Sequence, residues 1–120
     1  MNLWEKGKKA EELAARYLRS SGYCIWKTNW RWGHRELDLL ATRKGVLVVV
    51  EVKAMEGNFV NDPCQVVGPG KQRNLILAAD AFVRLYGWKG PTRFDVIRVS
   101  TSSRGTELEH IEGAFVPQAE

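Results

Sequence analysis

The sequence predicts a single α/β domain of the order αβββαβ, in which helices flank a mixed central sheet. Its 120 residues suit one domain with one hydrophobic core. Two segments keep the helical spacing of apolar residues, and the segments between and after them have the alternation and β-branched content of strands. Because no repeat, low-complexity tract or linker interrupts them, we expect one domain over 1–120, with 117–120 as a frayed tail.

The first element is a helix predicted over Glu5–Ser20. Its apolar residues recur at spacings of three and four and form one stripe, which consists of Ala10, Leu13, Ala14, Tyr17 and Leu18. Glu12 points away from the stripe and has basic residues one turn away on either side, so we interpret it as a solvated ion-pair partner. Glu11 lies at the edge of the stripe, from which its carboxylate can reach towards whatever the helix packs against.

Three strands are predicted next. Tyr23–Trp30 is rich in aromatic and β-branched residues and is followed by a turn over 31–34. Arg35–Ala41 alternates, so that one face carries Leu37, Leu39 and Ala41 and the other carries Glu36, Asp38 and Leu40. After a hairpin turn over 42–45, Val46–Lys53 begins apolar on both faces, which is typical of a central strand covered on both sides.

The second half of the chain alternates between irregular and regular segments. Glu56–Gly70 is rich in glycine, proline and asparagine, which predicts an irregular loop. Lys71–Tyr86 keeps helical spacing, with Gly87 as its stop. Phe94–Ser100 is predicted as the fourth strand, and 108–111 as a short edge strand before the tail.

Composition excludes several classes of protein. The longest aliphatic run, Val46–Val50, is too short to cross a bilayer, and no apolar leader is visible near the start, so we expect a cytoplasmic protein without a membrane span. Cys24 and Cys64 lack the spacing of a zinc or redox site and should stay reduced there. The formal net charge of +4 mildly favours a polyanionic partner.

The residues that indicate a chemical function lie near the ends of the second and third predicted strands. If Lys44-Gly45 forms a two-residue turn, Asp38 lies opposite Glu51, and Glu36 lies opposite Lys53, all on one face. A four-residue loop would slide the pairing by two positions and preserve that face. The prediction therefore does not depend on the turn type.

Carboxylates gathered on one sheet face repel one another and tend to take up protons unless positive charge compensates them. Lys53 supplies one charge, and a divalent cation such as Mg²⁺, which prefers oxygen ligands, would supply the rest. Such an ion activates bound water and stabilises charge on a phosphoryl oxygen, which predicts phosphodiester hydrolysis. A cross-strand salt network at a solvated sheet end is the alternative, and spacing alone leaves it open.

A family resemblance favours the first interpretation. Residues 36–41 and 50–53 resemble the D-(x)n-E-x-K core of the PD-(D/E)xK nuclease superfamily. More narrowly, the chain resembles the YraN-like uncharacterised family of small bacterial proteins through segments that span nearly its whole length: Ala10–Leu18, Gly22-Tyr23, Asn29-x-Arg31, Glu36–Asp38, Glu51–Lys53, Lys71–Arg73, Arg93–Val96 and His110-Ile111.

The resemblance implies a restriction-endonuclease-like fold. It further implies Asp38 and Glu51 as ligands of Mg²⁺ or Mn²⁺, Lys53 as the group that positions or activates water, and Glu11 as a helix-borne accessory acid. One departure is Arg35, where the family usually has glycine, and this change alters how closely a backbone phosphate approaches.

Other residues have two interpretations each. Lys71, Gln72, Arg73 and His34 are candidates for phosphate contact, as is Arg35 beside the turn, although ordinary surface placement would explain the helix residues equally well. The three tryptophans at positions 26, 30 and 32 are interpreted as core or sheet cover, with base stacking as the alternative.

The leading hypothesis is a Mg²⁺- or Mn²⁺-dependent nuclease acting on DNA. The alternatives are a nucleic-acid-binding module that keeps the fold without useful catalysis, and a protein-interaction domain that uses the same sheet face. Asp95 in the fourth strand is interpreted as structural, and the isolated His34 and His110 do not suggest zinc. Nothing in the sequence displays an interface, so a homodimer stays open.

Overall fold

The computed structural model describes residues 2–56 and 67–117. Its elements are α1 (Leu3–Ser20), β1 (Cys24–Trp32), β2 (Arg35–Arg43), β3 (Val46–Glu56), α2 (Pro69–Tyr86), β4 (Thr92–Ser102) and β5 (Gly105–Phe115). The predicted αβββαβ core is therefore present, with β5 as a full additional strand. The fold class, an α/β domain with a mixed sheet between helices, is confirmed.

The five strands form one sheet in chain order, β1-β2-β3-β4-β5. Neighbouring strands are antiparallel except β3 and β4, which are parallel and are joined through α2. Parallel neighbours need such a crossover because a hairpin turn cannot join them. In this order β3 is the middle strand of the sheet, as its apolar residues on both faces predicted.

One helix covers each face of the sheet. Under α1 lies a cluster of buried residues that includes Leu18, Leu39 and Val50. Under α2 lies a second cluster, which includes Val49 and Phe82. Burial of β3 side chains on both faces supplies much of the hydrophobic free energy, at about 25 cal/mol per Å² of apolar surface removed from water.

The turn between β2 and β3 takes two residues, Lys44 and Gly45, as the register argument supposed. Both have positive φ, 51° and 79°, which is the backbone of a type I′ hairpin turn. Arg43 pairs with Val46 across it. The face assignment of β3 relative to the turn follows from this geometry.

Several predicted boundaries were wrong or incomplete. The turn over 31–34 is only Gly33-His34, because Arg31 and Trp32 pair with β2 and belong to β1. The edge strand is not the short 108–111 but the whole of β5, since an exposed edge strand pairs through its backbone and needs no apolar alternation. Helix α2 begins at Pro69, a residue suited to a first helical turn, and ends before Gly87, whose φ is 68°.

The two ends of the predicted loop over Glu56–Gly70 belong to a strand and a helix in the structure. Glu56 ends β3, and Pro69 and Gly70 belong to α2. The stretch 57–66, which includes Cys64, and the tail residues 118–120 lie outside the described residues. No helix in the described part of the chain has the length and apolar character needed to span a membrane.

Candidate metal-binding carboxylate site

Asp38 lies where the pairing of β2 with β3 stops. Backbone partners of these strands run from Arg43–Val46 to Leu39–Val50. Immediately beyond, the Val52 backbone N–H donates to Asp38 Oδ2 at 2.9 Å. The Asp38 side chain thus satisfies a β3 amide in place of a backbone carbonyl, which fixes its carboxyl group between the two strands.

Glu51 is the most buried carboxylate of this site, with 3% of its surface exposed. Its Oε2 lies 3.6 Å from Lys53 Nζ and 3.3 Å from Lys71 Nζ. Lys53 projects from the same face of β3, and Lys71 comes from the first turn of α2. The Glu51 carboxyl group also lies within hydrogen-bonding reach of the Asp38 carboxyl group, so the two acids influence each other directly.

Burial, followed by the hydrogen bond and the negative charge of Glu51, raises the pKa of Asp38 from 3.8 to about 8. Within that total the Val52 N–H lowers the pKa, and the charge of Glu11 makes a smaller contribution that raises it. Below about pH 8 Asp38 therefore keeps its proton. A divalent cation would replace that proton as the compensating positive charge, and carboxylate oxygens are the ligands that Mg²⁺ and Mn²⁺ prefer.

A second set of carboxylates adjoins the pair from the side of α1. Carboxylate oxygens of Glu11, Glu36 and Asp38 lie within 4.8 Å of one another. Asn29 Nδ2 donates to Glu11 Oε1 at 2.9 Å and to Glu36 Oε1 at 3.3 Å. Glu11 thus reaches from the edge of its apolar stripe to the strand end, whereas Glu12 is exposed.

The prediction that β2 alternates without interruption was wrong. Leu39 packs under α1, but Leu37, which was predicted on the same face, packs with Leu40 under α2. The change of face in β2 thus lies between Leu37 and Leu39, which pair with Trp30 and Thr28, whereas the register shift of the β1–β2 pairing lies between Ile25 and Lys27. Asn29, between Thr28 and Trp30 on β1, has a φ of 50°, a left-handed conformation that costs a non-glycine residue about 1–3 kcal/mol.

This change of face alters how the acids meet. Glu36 and Asp38 approach Glu11 of α1, while Glu51 contacts Lys71 of α2. The carboxylates therefore converge at the end of the sheet, from both helical layers, rather than on one face. The predicted pairs Asp38–Glu51 and Glu36–Lys53 lie beyond the last backbone partners of the two strands.

The candidate residues of α2 have different surroundings. Lys71 contacts Glu51, as described. Gln72 Nε2 donates to the Val67 carbonyl at 2.8 Å, so this side chain holds the segment that leads into the helix. Arg73 is exposed. Of these three, only Lys71 has an ion pair with a carboxylate of the site within the described residues.

The candidate residues beside the β1–β2 turn are accessible. His34 is exposed in the turn itself. Arg35 Nε donates to Asn74 Oδ1 of α2 at 3.1 Å, and its guanidinium lies 5.5 Å from the centroid of the Trp32 ring. Arg31 binds Glu36 Oε2 at 3.0 Å. Basic side chains therefore surround the carboxylates on the hairpin side.

Sequence reasoning missed Arg98, which is 1% exposed. It pairs in register with Lys53 and binds Glu109 of β5, to which its Nε donates at 2.6 Å. The pattern Phe94, Val96, Arg98 places it on an inward-facing position, so a charged residue in the alternation was the available signal. It brings a guanidinium to the strand beside the E-x-K segment.

Asp95 belongs to a separate buried network. Arg93 binds both of its oxygens at 2.8 Å, His110 Nε2 lies 2.7 Å from Oδ2, and the Gly113 N–H donates at 3.0 Å. Burial opposes ionisation, but the hydrogen bonds from His110 and Arg93 prevail and lower the pKa of Asp95. Tyr17 of α1 completes the network through His110 Nδ1 at 2.9 Å.

Carboxylate oxygens of Asp95 and Glu112 and a ring nitrogen of His110 lie close enough together for metal binding, but Arg93 already supplies a cation to Asp95 and lies 3.4 Å from Glu112. The network therefore ties β4 and β5 to α1. The interpretation of Asp95 as structural agrees with these contacts, whereas its partner His110 was not recognised from the sequence, because the two are fifteen residues apart on neighbouring strands.

Comparison with known proteins places the chain in a family. Residues 10–99 match the family model described as "Uncharacterised protein family UPF0102". A UPF0102 protein of Parabacteroides distasonis is 39% identical over 92% of this chain and 92% of its own length. A UPF0102 protein of Porphyromonas gingivalis is 42% identical over 92% of this chain and 84% of its own, and one of Chlorobium chlorochromatii is 39% identical over 92% and 91%. The resemblance to the YraN-like family is thereby confirmed at the level of the family, and the chain belongs to the UPF0102 family.

Proposed function

We propose that this protein is a Mg²⁺- or Mn²⁺-dependent nuclease of the PD-(D/E)xK type that hydrolyses phosphodiester bonds in DNA. The observation that carries the proposal is the pair of neighbouring carboxyl groups of Asp38 and Glu51, with Lys53 two residues further along the same strand as Glu51. Placing Asp38 beside a second, buried acid, where its pKa is raised, is a costly arrangement for a merely structural salt network.

The proposed roles of the site residues follow from their positions around the acid pair. Asp38 and Glu51 would hold the cation, with Glu11 and Glu36 close enough to accept protons or orient water at its edge. When bound, the cation supplies Lewis acidity towards a phosphoryl oxygen and lowers the pKa of a water ligand. Lys53, whose side chain is 38% exposed, would orient the attacking water or stabilise charge on the scissile phosphate.

The charge around the site suits a polyanion. Lys71 flanks Glu51 on one side, and Arg31 and Arg35 lie at the hairpin on the other. Contacts of lysine and arginine with phosphates release condensed counterions, so binding to DNA should weaken steeply as salt rises.

The test is cleavage of labelled duplex, single-stranded and branched DNA with Mg²⁺ or Mn²⁺. Glu51→Ala and Lys53→Ala should each lower the rate by about 100-fold or more, because each removes a group that acts on the transition state. Lys89→Ala is the matched control, since Lys89 is exposed in the connection before β4 and should leave the rate unchanged. Cleavage that persists in both site variants would overturn the assignment.

One observation favours a second candidate, a nucleic-acid-binding module without catalysis. Glu51 Oε2 already has two ammonium groups within 3.6 Å, which partly neutralise the charge that a metal would need. Under this hypothesis the protein binds DNA in a salt-sensitive manner but cuts none of the substrates with either metal. Calorimetric titration with Mn²⁺ separates the candidates further, because the nuclease requires binding that Asp38→Ala abolishes.

A further inference from the structure

An exposed tryptophan lies at the end of β1 beside the carboxylate site. Trp32 is 41% exposed. Trp26 is 36% exposed, but it and Trp30 of the same strand pack edge-on against Phe82, with centroids 5.0 and 5.2 Å apart. The interpretation of the tryptophans as core or sheet cover therefore holds for Trp26 and Trp30. Trp32 extends to the hairpin turn, where it presents indole surface to solvent.

The orientation of Trp32 is supported from two elements. The Arg35 guanidinium lies 5.5 Å from the indole centroid, in the range of a cation–π contact. Arg35 is itself anchored, because its Nε donates to Asn74 Oδ1 of α2 at 3.1 Å. A ring held in this way loses little conformational entropy when a planar ligand stacks on its open side.

The ring lies on the side of the site that faces α2. Arg35, whose guanidinium contacts the ring, donates to Asn74 of α2. Asn74 lies about one helical turn after Lys71, whose ammonium group is 3.3 Å from Glu51 Oε2. A base on the Trp32 ring would therefore belong to a nucleotide on the Glu51 and Lys71 side of the carboxylate site.

We propose that Trp32, positioned by Arg35, is a stacking platform for an unpaired base of the substrate strand. Aromatic rings beside cations bind single-stranded nucleic acid because every base presents a π-face, whereas a base inside a duplex has both faces covered by its neighbours. The site thus selects single-stranded nucleotides next to the scissile bond. This inference rests on the proposed function for the place of cleavage, but not for the stacking itself.

The test compares binding of labelled oligothymidine with binding of a blunt hairpin duplex, in the absence of divalent metal. Trp32→Leu should weaken oligothymidine binding about 10-fold and leave duplex binding nearly unchanged, and Trp32→Phe should retain binding, because it keeps an aromatic face. Tyr86→Leu is the matched control. Tyr86 is 42% exposed and has Lys27 5.5 Å from its ring, but it lies at the opposite end of α2 from Lys71.

Two results would overturn the proposal that Trp32 is a stacking platform. One is that Trp32→Leu binds oligothymidine as tightly as the wild type does. The other is that Trp32→Leu weakens the binding of oligothymidine and of duplex to the same degree, which would indicate a phosphate contact or a change of fold. Thermal unfolding of each variant identifies a change of fold directly. If the wild type cuts no DNA but Trp32→Leu still loses oligothymidine binding selectively, the proposed nuclease fails and the platform stands. If the wild type cuts DNA but Trp32→Leu does not lose oligothymidine binding selectively, the platform fails and the proposed nuclease stands.

Discussion

At the scale of single residues, the site is governed by the buried neighbourhood of two acids, Asp38 and Glu51. Asp38 is held by the Val52 amide between two strands, and Glu51 is buried beside it. Neither acid can move into solvent without breaking these contacts. Burial, together with the hydrogen bond and charge of Glu51, therefore raises the pKa of Asp38 and does not displace its side chain.

The raised pKa makes a prediction about stability. The folded pKa of Asp38, about 8, exceeds its ordinary value of 3.8, so the folded protein binds this proton more tightly than the unfolded chain does. The stabilisation is complete below the unfolded pKa and is lost as the pH rises through the folded pKa. Asp38→Asn keeps an acceptor for Val52, cannot ionise, and should raise the free energy of unfolding of the metal-free protein by about 1–3 kcal/mol near pH 9.

Urea unfolding in the presence of a chelator, at about pH 6 and about pH 9, checks this prediction. The wild type should lose stability between the two values, and Asp38→Asn should lose clearly less. An equal loss in both proteins would show that Asp38 is already ionised at the lower pH. Added Mn²⁺ should stabilise the wild type more at the higher pH, since metal and proton compete for the same oxygens.

A second prediction at the scale of single residues concerns Asp95. It is 1% exposed and its oxygens are bound by Arg93, His110 and the Gly113 amide. Asp95→Ala would leave Arg93 without its main counter-charge and should cost about 3–5 kcal/mol of unfolding free energy. Asp80→Ala is the control, because Asp80 pairs with Arg84 on the exposed face of α2 and should cost only about 0.3–0.5 kcal/mol.

The unfolding free energies of Asp95→Ala and Asp80→Ala are both measured by urea denaturation near neutral pH. A loss for Asp95→Ala as small as that for Asp80→Ala would contradict the structural role. Because the pKa of Asp95 is lowered in the folded protein, its contribution to stability is present above the ordinary pKa of aspartate and disappears as the pH falls through the folded value.

At the scale of elements, α1 does more than cover the sheet. Its buried stripe, which includes Ala14 and Leu18, sets the rotation of the helix. That rotation brings Glu11 to Asn29 and the strand end, and leaves its neighbour Glu12 in solvent. One residue along a helix turns the side chain by about 100°, so adjacent glutamates have unrelated roles.

The pair of glutamates gives a direct prediction for activity. If the protein is a nuclease, Glu11→Ala should lower the rate of metal-dependent cleavage about 10-fold or more, because it removes an acid from the edge of the site. Glu12→Ala changes the charge by the same amount on the same turn and should leave the rate unchanged. Single-turnover cleavage rates check this; equal rates in the two variants would place Glu11 outside the chemistry.

At the scale of the whole molecule, the site exists because three layers meet at one end of the sheet. β2 and β3 bring Asp38, Glu51 and Lys53, α1 brings Glu11, and α2 brings Lys71. The parallel pairing of β3 with β4 requires α2 to cross the sheet, and the start of that crossover lies beside Glu51. Topology therefore decides which helix end contacts the acids.

The sequence by itself determined the local features. The order of elements, the central position of β3, the turn at Lys44-Gly45 and the stripe-edge place of Glu11 all follow from periodicity and turn chemistry, which depend on backbone geometry within a few residues. The E-x-K segment was recognised for the same reason, since both side chains project from one face of a single strand.

Only the tertiary structure decided which distant residues meet. The contact of Lys71 with Glu51, the His110–Asp95 bond and the position of Leu37 under α2 depend on strand order and on how the helices pack on the sheet, which no local pattern specifies. Contacts of this kind form between elements that pack together, so their geometry reflects the sum of many small packing interactions rather than the preference of any one segment.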